Sequence, residues 1–389
     1  MNRYRADQVG SYLRPPELVE ARARFQQDEL SREALRQVED QAILEVLELQ
    51  RQAGMRLFTD GEYRRGGWTG GLPESVEGFV RAPGMLPAPI AMRWRGEHLD
   101  LLRRRAESCP SAVVEAAVSP FALVIGAKLR APGRMYAEDS RFLAQHSPGP
   151  FKITLTSPSW YLRQYLAGYS DAAYPTPADA LVDLQEITRI EIQALVNEGV
   201  PYIQVDSIRY VFDFTDEQRR REWQAMGVDP DRAVDQTLAA DNAVVEGVTR
   251  DTVSLGLHMC RGNNRSNYFA EGGYDRIAER VFPALRYDRL LLEYDTERAG
   301  GFEPLRFVPR GKTVVLGLIS TKDPRLEPQD QLLRRIDEAS KYIPIDDLAL
   351  SPQCGLASVL QGNAISWDDQ RRKLELLVDT AHKVWDTAA

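Results

Sequence analysis

The chain has 389 residues, 43% hydrophobic and 27% charged, with a formal net charge of −8. That is the make-up of a globular protein able to bury a large core, and the acidic balance argues against a nucleic-acid partner, since phosphate binding wants a basic face. Three cysteines are an odd and small number, so a secreted disulfide framework is not expected and a reducing cytoplasm is. The opening MNRYRADQVGSYLRPPE carries charge without an apolar stretch, so no secretory leader is expected. No run approaches the roughly 18 apolar residues of a membrane span.

Short apolar runs alternate with longer helical patterns along the chain. QVGSY (8–12) comes first. A helix is predicted over 31–54, where Ser31 can cap an apolar stripe through Leu35, Val38, Ala42, Ile43 and Val46. MRLFTDGE (55–62) is a strand running into a turn. Residues 66–110, rich in Gly, Pro and Arg, read as a long loop, and 112–130 as a hairpin around Ser119–Pro120. Next come FKITLTSPSW (151–160), a helix over 178–199 and the strand VPYIQVDS (200–207). A helix near 234–250 leads into TVSLGLHMC (252–260), and YDRIAERVFPAL (274–285) precedes RLLLEYD (289–295). GKTVVLGLIS (311–320), a helix near 328–342, LALSPQCG (348–355) and a helix over 367–385 close the chain.

Repeated strand–helix units with apolar strands mean a parallel sheet covered by helices. Eight or more such units predict an α/β fold of the (β/α)8 TIM-barrel type, with a long loop and hairpin insertion near residues 66–130 and a single barrel domain over 1–389. In a barrel the strand ends converge on one face, where active sites form. Ser11, Glu62, Ser157, Asp206, His258, Cys260, Glu293, Ser320 and Cys354 all sit at such ends.

Residues i and i+2 of a strand point the same way, so His258 and Cys260 project together, as two ligands of one metal must. Cys354 in SPQCG and Glu293 in LLLEYD are the best candidates for the remaining positions of a zinc site. The ordinary alternative is a hydrogen-bonded core histidine and two small buried hydrophobes. Glu62 lies in TDGEYRR, where Asp-Gly alone would make a turn. Asp206 ends an apparently buried strand, and a buried carboxylate needs a partner, either a structural arginine or a cationic ligand. Gly10 permits close backbone approach and Ser11 offers a hydroxyl. Trp160 could stack on a flat ring or simply fill core. Cys109, in the loop-like insertion, reads as structural. No Walker sequence, dinucleotide glycine fingerprint or nucleophile elbow occurs.

Taken in order, VGSYLRP, TDGEYRR, YIQVD, HMCRGN, LLEYD, GLISTKDPRLE and SPQCGLAS resemble the catalytic C-terminal half of cobalamin-independent methionine synthases, and more closely their short single-barrel relatives. HMC with CGL is the specific part. The resemblance implies zinc held by His258, Cys260, Glu293 and Cys354. It implies that Ser11, Glu62 and Asp206 bind the amino-acid part of homocysteine, and that Trp160 lies near the methyl donor. It implies transfer of a methyl group to that thiol from methyltetrahydrofolate, giving methionine, while the departures that follow leave open a donor that needs no acid, such as a methylcorrinoid. The sequence departs from the family where a histidine thought to protonate the folate leaving group is expected: GLISTK places Ser320 there, followed by Thr321 and Lys322, and His98, His146 and His382 are poor substitutes. An acidic residue and proline usually follow the aspartate of QVD, and Ser207 does so here. The rivals are an alkyltransferase for another thiol such as coenzyme M, a decarboxylase of the uroporphyrinogen type on a related barrel, and a binding protein with a structural zinc.

Overall fold

A computed structural model describes residues 4–81, 95–98 and 123–385. Cys109, the arginine run at 103–105 and the first half of the expected 112–130 hairpin lie outside the described residues. Two strands, β1 (Glu77–Arg81) and β2 (Leu123–Arg130), form an antiparallel ribbon. β2 therefore pairs with a strand inside the stretch read as loop, and a short helix, Gly71–Ser75, precedes it. Six further strands pair in parallel and in chain order: β3 (Lys152–Thr156), β4 (Tyr202–Ser207), β5 (Ser254–Met259), β6 (Arg289–Glu293), β7 (Thr313–Ile319) and β8 (Leu348–Pro352).

The first two barrel positions are filled by short extended segments. Ala6 bridges Leu350 of β8, with Asp7 N donating to Leu350 O at 2.8 Å and Leu350 N to Arg5 O at 2.8 Å. Ser11 bridges Gly61, and Phe58 bridges Phe151 just before β3. All three bridges are parallel, so the sheet closes on itself as a (β/α)8 barrel.

Helices with apolar inner faces cover the outside. Arg32–Gln52 begins at Ser31, whose hydroxyl accepts from Ala34 N, and buries Leu35, Ile43, Val46 and Leu47. Pro177–Asn197 begins in a capping box formed by Thr176 and Asp179. The helix predicted to reach 250 runs over Pro230–Ala243 instead, and the chain turns out of it through Gly247, whose φ of 75° no β-branched residue tolerates. The helix Ala137–His146 has no sequence counterpart above, and no side chain caps its start. Among the described residues no helix is long and apolar enough to cross a membrane.

The barrel interior is layered. At its floor Asp7 accepts from Lys152 Nζ at 2.6 Å and from Arg289 Nη2 at 3.0 Å, with Tyr202 OH donating at 3.1 Å. Above it Val9, Leu291, Val315 and Ala349 form a small apolar plug. Polar side chains return at the C-terminal ends of the strands.

Removing Asp7 leaves two cations in the core without their counter-charge, a change that typically costs about 3–5 kcal/mol. Asp7→Ala should lose about that much in urea denaturation. A second expectation concerns Asp241, at the end of the helix Pro230–Ala243. Burial pushes its pKa up to about 6, against the opposing pull of the Ser157, Tyr210 and Ser207 hydroxyls. The folded chain thus holds this proton more tightly than the unfolded one, where the ordinary value is 3.8. Its contribution is full below that value and is lost as pH rises through about 6, by as much as roughly 3 kcal/mol. Asp241→Asn should remove that part of the slope from unfolding free energies measured between pH 4 and 7.

Candidate metal centre

The parallel register places the site. Asp206 of β4 stands opposite His258 of β5. Glu293 ends β6, and Cys260 and Cys354 follow β5 and β8 at the same mouth of the barrel. The ligand atoms of His258, Cys260, Glu293 and Cys354 all lie within 4.8 Å of one another. The two sulfurs are 3.5 Å apart, and His258 Nε2 is 3.7 Å from Glu293 Oε1.

Each of the four is held from behind. His258 Nδ1 is 3.0 Å from Asp206 Oδ1, whereas Nε2 is buried without a hydrogen-bond partner. A carboxylate can only accept, so the imidazole carries its proton on Nδ1 and presents Nε2 to the cluster. Burial would depress the imidazole pKa, but without an ion the Asp206 and Glu293 carboxylates outweigh it and raise it well above the ordinary value, so an ion bound at Nε2 would displace a proton from that nitrogen. Glu293 accepts at Oε1 from Arg261 N at 2.9 Å, and its Oε2 has no hydrogen bond. Burial favours its neutral acid, yet the neighbouring His258 imidazole and the charges of Lys322 and Arg298 hold its pKa at about 2. Gly262 N donates to Cys260 Sγ at 3.2 Å. The contact with Cys354 and burial push the Cys260 thiol up, whereas the contact with Cys260 draws the Cys354 thiol down against its own burial.

His258, Cys260 and Cys354 form one wall of a cleft that encloses about 590 Å³ including its open mouth, with Glu293 buried behind them. Ser11, Glu62, Asp206 and Trp160 line the same cleft, so the structure brings all four to the metal candidates. Glu62 sits at φ 61°, a left-handed conformation rare for glutamate, and its 3% exposure leaves it almost wholly enclosed. Its Oε1 meets Arg65 Nη2 at 2.7 Å and accepts from Thr154 Oγ1 at 3.0 Å, while Oε2 is buried with no partner. Burial raises the Glu62 pKa, with Arg65 opposing and Asp206 reinforcing the shift. Ser11 O accepts from Leu356 N at 2.9 Å, which ties the first barrel segment to the Cys354 loop.

Ser320 is the exception. It lines a neighbouring cavity with Lys322, Arg298 and His98, not the cleft of the cluster. Lys322 is the nearer cation: its Nζ donates at 3.0 Å to both Gly262 O and Asn263 Oδ1. Asn263 Nδ2 in turn donates to Gly355 O at 2.7 Å and Ser358 Oγ at 3.2 Å, which joins the loops carrying Cys260 and Cys354. The sequence pattern gave no sign of this strap beyond the polar run after HMC. Nor did it single out Trp68, which packs on Trp160 at 5.3 Å between ring centres and lines the cleft with it.

The family described as cobalamin-independent synthase, catalytic domain, matches residues 170–383. A Bacillus subtilis relative, Uncharacterized protein YxjG, is 33% identical over 388 residues, 98% of this chain and 95% of that one. The chain belongs to the cobalamin-independent methionine synthase family. A methionine synthase from Saccharolobus solfataricus is 22% identical over 382 residues, 94% of this chain and 95% of that protein. A structure from Listeria monocytogenes, solved as a candidate vitamin-B12-independent methionine synthase, superposes with a TM-score of 0.70 at 25% identity and covers 98% of both chains. The span matched to the methionine synthase catalytic domain includes Asp206 and all four candidate ligands, whereas Ser11, Glu62 and Trp160 lie before it. Membership makes the chain a methyltransferase-type barrel.

Gly355 follows Cys354 and lies against Ser11, where an added Cβ would fall 1.9 Å from the Ser11 hydroxyl oxygen. Gly355→Ala must displace either Ser11 or the Cys354 loop. It should lower thermal stability by about 1–3 kcal/mol and weaken binding of a thiophilic divalent ion in a chelator titration.

Proposed function

We infer that this chain is a zinc-dependent methyltransferase that acts on the sulfur of homocysteine and yields methionine. The observation that carries the reading is the meeting of two thiols, an imidazole and a carboxylate, three of them lining the same cleft as Glu62 and Asp206. A tetrahedral zinc with bonds of about 2.0–2.3 Å needs ligand atoms roughly 3.3–3.8 Å apart. The sulfur–sulfur spacing of 3.5 Å and the Nε2–Oε1 spacing of 3.7 Å fall in that window. His258 Nε2 and Glu293 Oε2, both buried without a hydrogen bond, are further signs that an electrophile belongs here. His258, Cys260, Glu293 and Cys354 would hold the ion, and zinc so held supplies the Lewis acidity that keeps an incoming thiol deprotonated at neutral pH.

The remaining residues define the acceptor. Glu62 and Asp206 place two carboxylates in the cleft, suited to an ammonium group, and the Ser11 hydroxyl offers a donor to a carboxylate. This pattern favours an amino-acid thiol over coenzyme M, which has no amine. In the transfer a sulfur–carbon bond forms as the bond from methyl to its carrier breaks, and the thiol proton leaves to solvent. Trp68 and Trp160 give the donor side of the cleft a flat aromatic wall. Methyltetrahydrofolate and a methylcorrinoid both present a flat ring system there. A folate leaving group also needs a proton, and Lys322 is the cation beside the cleft in place of the family histidine. The two unlinked thiols suit a reducing cytoplasm, and we propose that the single barrel is the whole catalytic unit.

Methionine formation from homocysteine should be measured on zinc-loaded protein with methyltetrahydrofolate and separately with a methylcorrinoid. Wild type should be active with at least one donor, and Cys354→Ala should lose both the ion and the activity. A metal-free Cys354→Ala enzyme of full activity would overturn the reading. Glu62→Gln should raise KM for homocysteine about tenfold and leave that for 4-mercaptobutyrate, which lacks the amine, unchanged.

A further inference from the structure

A continuous chain of hydrogen bonds runs up the inside of the barrel from the ionic floor to the ion cluster, and Gln204 is its middle link. Lys152 Nζ donates to Gln204 Oε1 at 2.8 Å. Gln204 Nε2 donates at 2.8 Å to Val9 O and at 2.8 Å to Asp206 Oδ1. The same Asp206 oxygen accepts from His258 Nδ1 at 3.0 Å. An ammonium only donates, and a carbonyl or carboxylate only accepts, so the amide is oriented from three sides. Its oxygen faces Lys152 and its nitrogen faces Val9 and Asp206. Gln204 is fully buried, and the ionic floor does not require it, because Lys152 also binds Asp7 and the Gln8 carbonyl. Asp206 Oδ2 has no donor among the described residues, and Asp206 lines the cleft.

We propose that Gln204 is a positioning residue that serves both ends of the site through Asp206. By gripping Oδ1 it fixes the carboxylate that keeps the His258 proton on Nδ1, which frees Nε2 for the ion. By the same grip it turns Oδ2 toward the cleft, where the acceptor amine would lie. Its neighbour Val9 is two residues from Ser11, so the contact to Val9 O sets the height of the first barrel segment as well. Gln204 brings no charge of its own and touches neither ion nor acceptor. The inference rests on the function proposed above and adds a residue to it.

Gln204→Met keeps the side-chain length and removes all three hydrogen bonds. Gln204→Glu keeps the shape and sets a second acceptor against Asp206. Zinc affinity is read by competition with a chromophoric chelator, and acceptor preference as the ratio of dissociation constants for homocysteine and 4-mercaptobutyrate. Circular dichroism and thermal unfolding report the fold. Both variants should stay folded, bind zinc about tenfold more weakly and lose about fivefold of the preference for the amino thiol. A residue that merely supports the barrel would lower stability and leave that ratio untouched. Folded variants within twofold of wild type on both readings overturn the inference while leaving the proposed function standing. Collapse of the fold in both variants also overturns it, because Gln204 would then belong to the core alone. A wild type that neither binds zinc nor prefers homocysteine removes the proposed function first, and the role of Gln204 with it.

Discussion

A charge taken out of water must find its partner inside the protein, and this rule orders the interior of the barrel. Asp7 is fully buried and survives as an anion because Lys152 and Arg289 reach it from two strands. Glu62 is enclosed beside Arg65, and Asp206 beside His258. Glu293 lies among His258, Arg298 and Lys322. Moving any one of these groups leaves another unpaired. The closed sheet, the tautomer of His258 and the direction of each carboxylate are therefore parts of one arrangement.

The arrangement also explains why the cluster is strongly acceptor-like. Two sulfurs, an imidazole nitrogen and a carboxylate oxygen converge with two of their lone-pair-bearing atoms, His258 Nε2 and Glu293 Oε2, left without donors. The cations around it act at one remove. Lys322 is spent on the Gly262 carbonyl and the Asn263 side chain, and Arg298 on Asp295, whose oxygen it meets at 2.6 Å. They temper the negative potential without entering the space between the ligands. This mixture of sulfur, nitrogen and oxygen donors would suit the proposed zinc better than a hard cation.

Much of this was legible in the residues themselves. His258 and Cys260 were readable because a strand has a period of two, and the strand ends because apolar runs stop there. The first two barrel positions were visible as QVGSY and MRLFTDGE although only isolated bridges pair them. What could not be read depends on neighbours distant in the chain. Lys152, Tyr202 and Arg289 open their strands and look like ordinary polar flanks, and only barrel closure turns them onto Asp7. Trp68 lies in a segment without periodicity, and its value comes from contact with Trp160, 92 residues later. Gln204 looked like one polar residue in an apolar strand until Lys152 and Asp206 were found on either side of it. The helix Ala137–His146 begins without a capping side chain, so its start carried no local signal.

The sheet is not held equally all round. From β3 to β8 the strands share continuous ladders, whereas the segments bearing Ser11 and Glu62 are joined to their neighbours by single bridges. His258, Cys260, Glu293, Cys354 and Asp206 thus rest on the stiff arc, whereas Ser11 and Glu62 rest on the seam. Substitutions along that seam can move Ser11 and Glu62 while the ladder-held arc stays intact, so under the function proposed above a change of acceptor has a physical route that spares the candidate metal ligands.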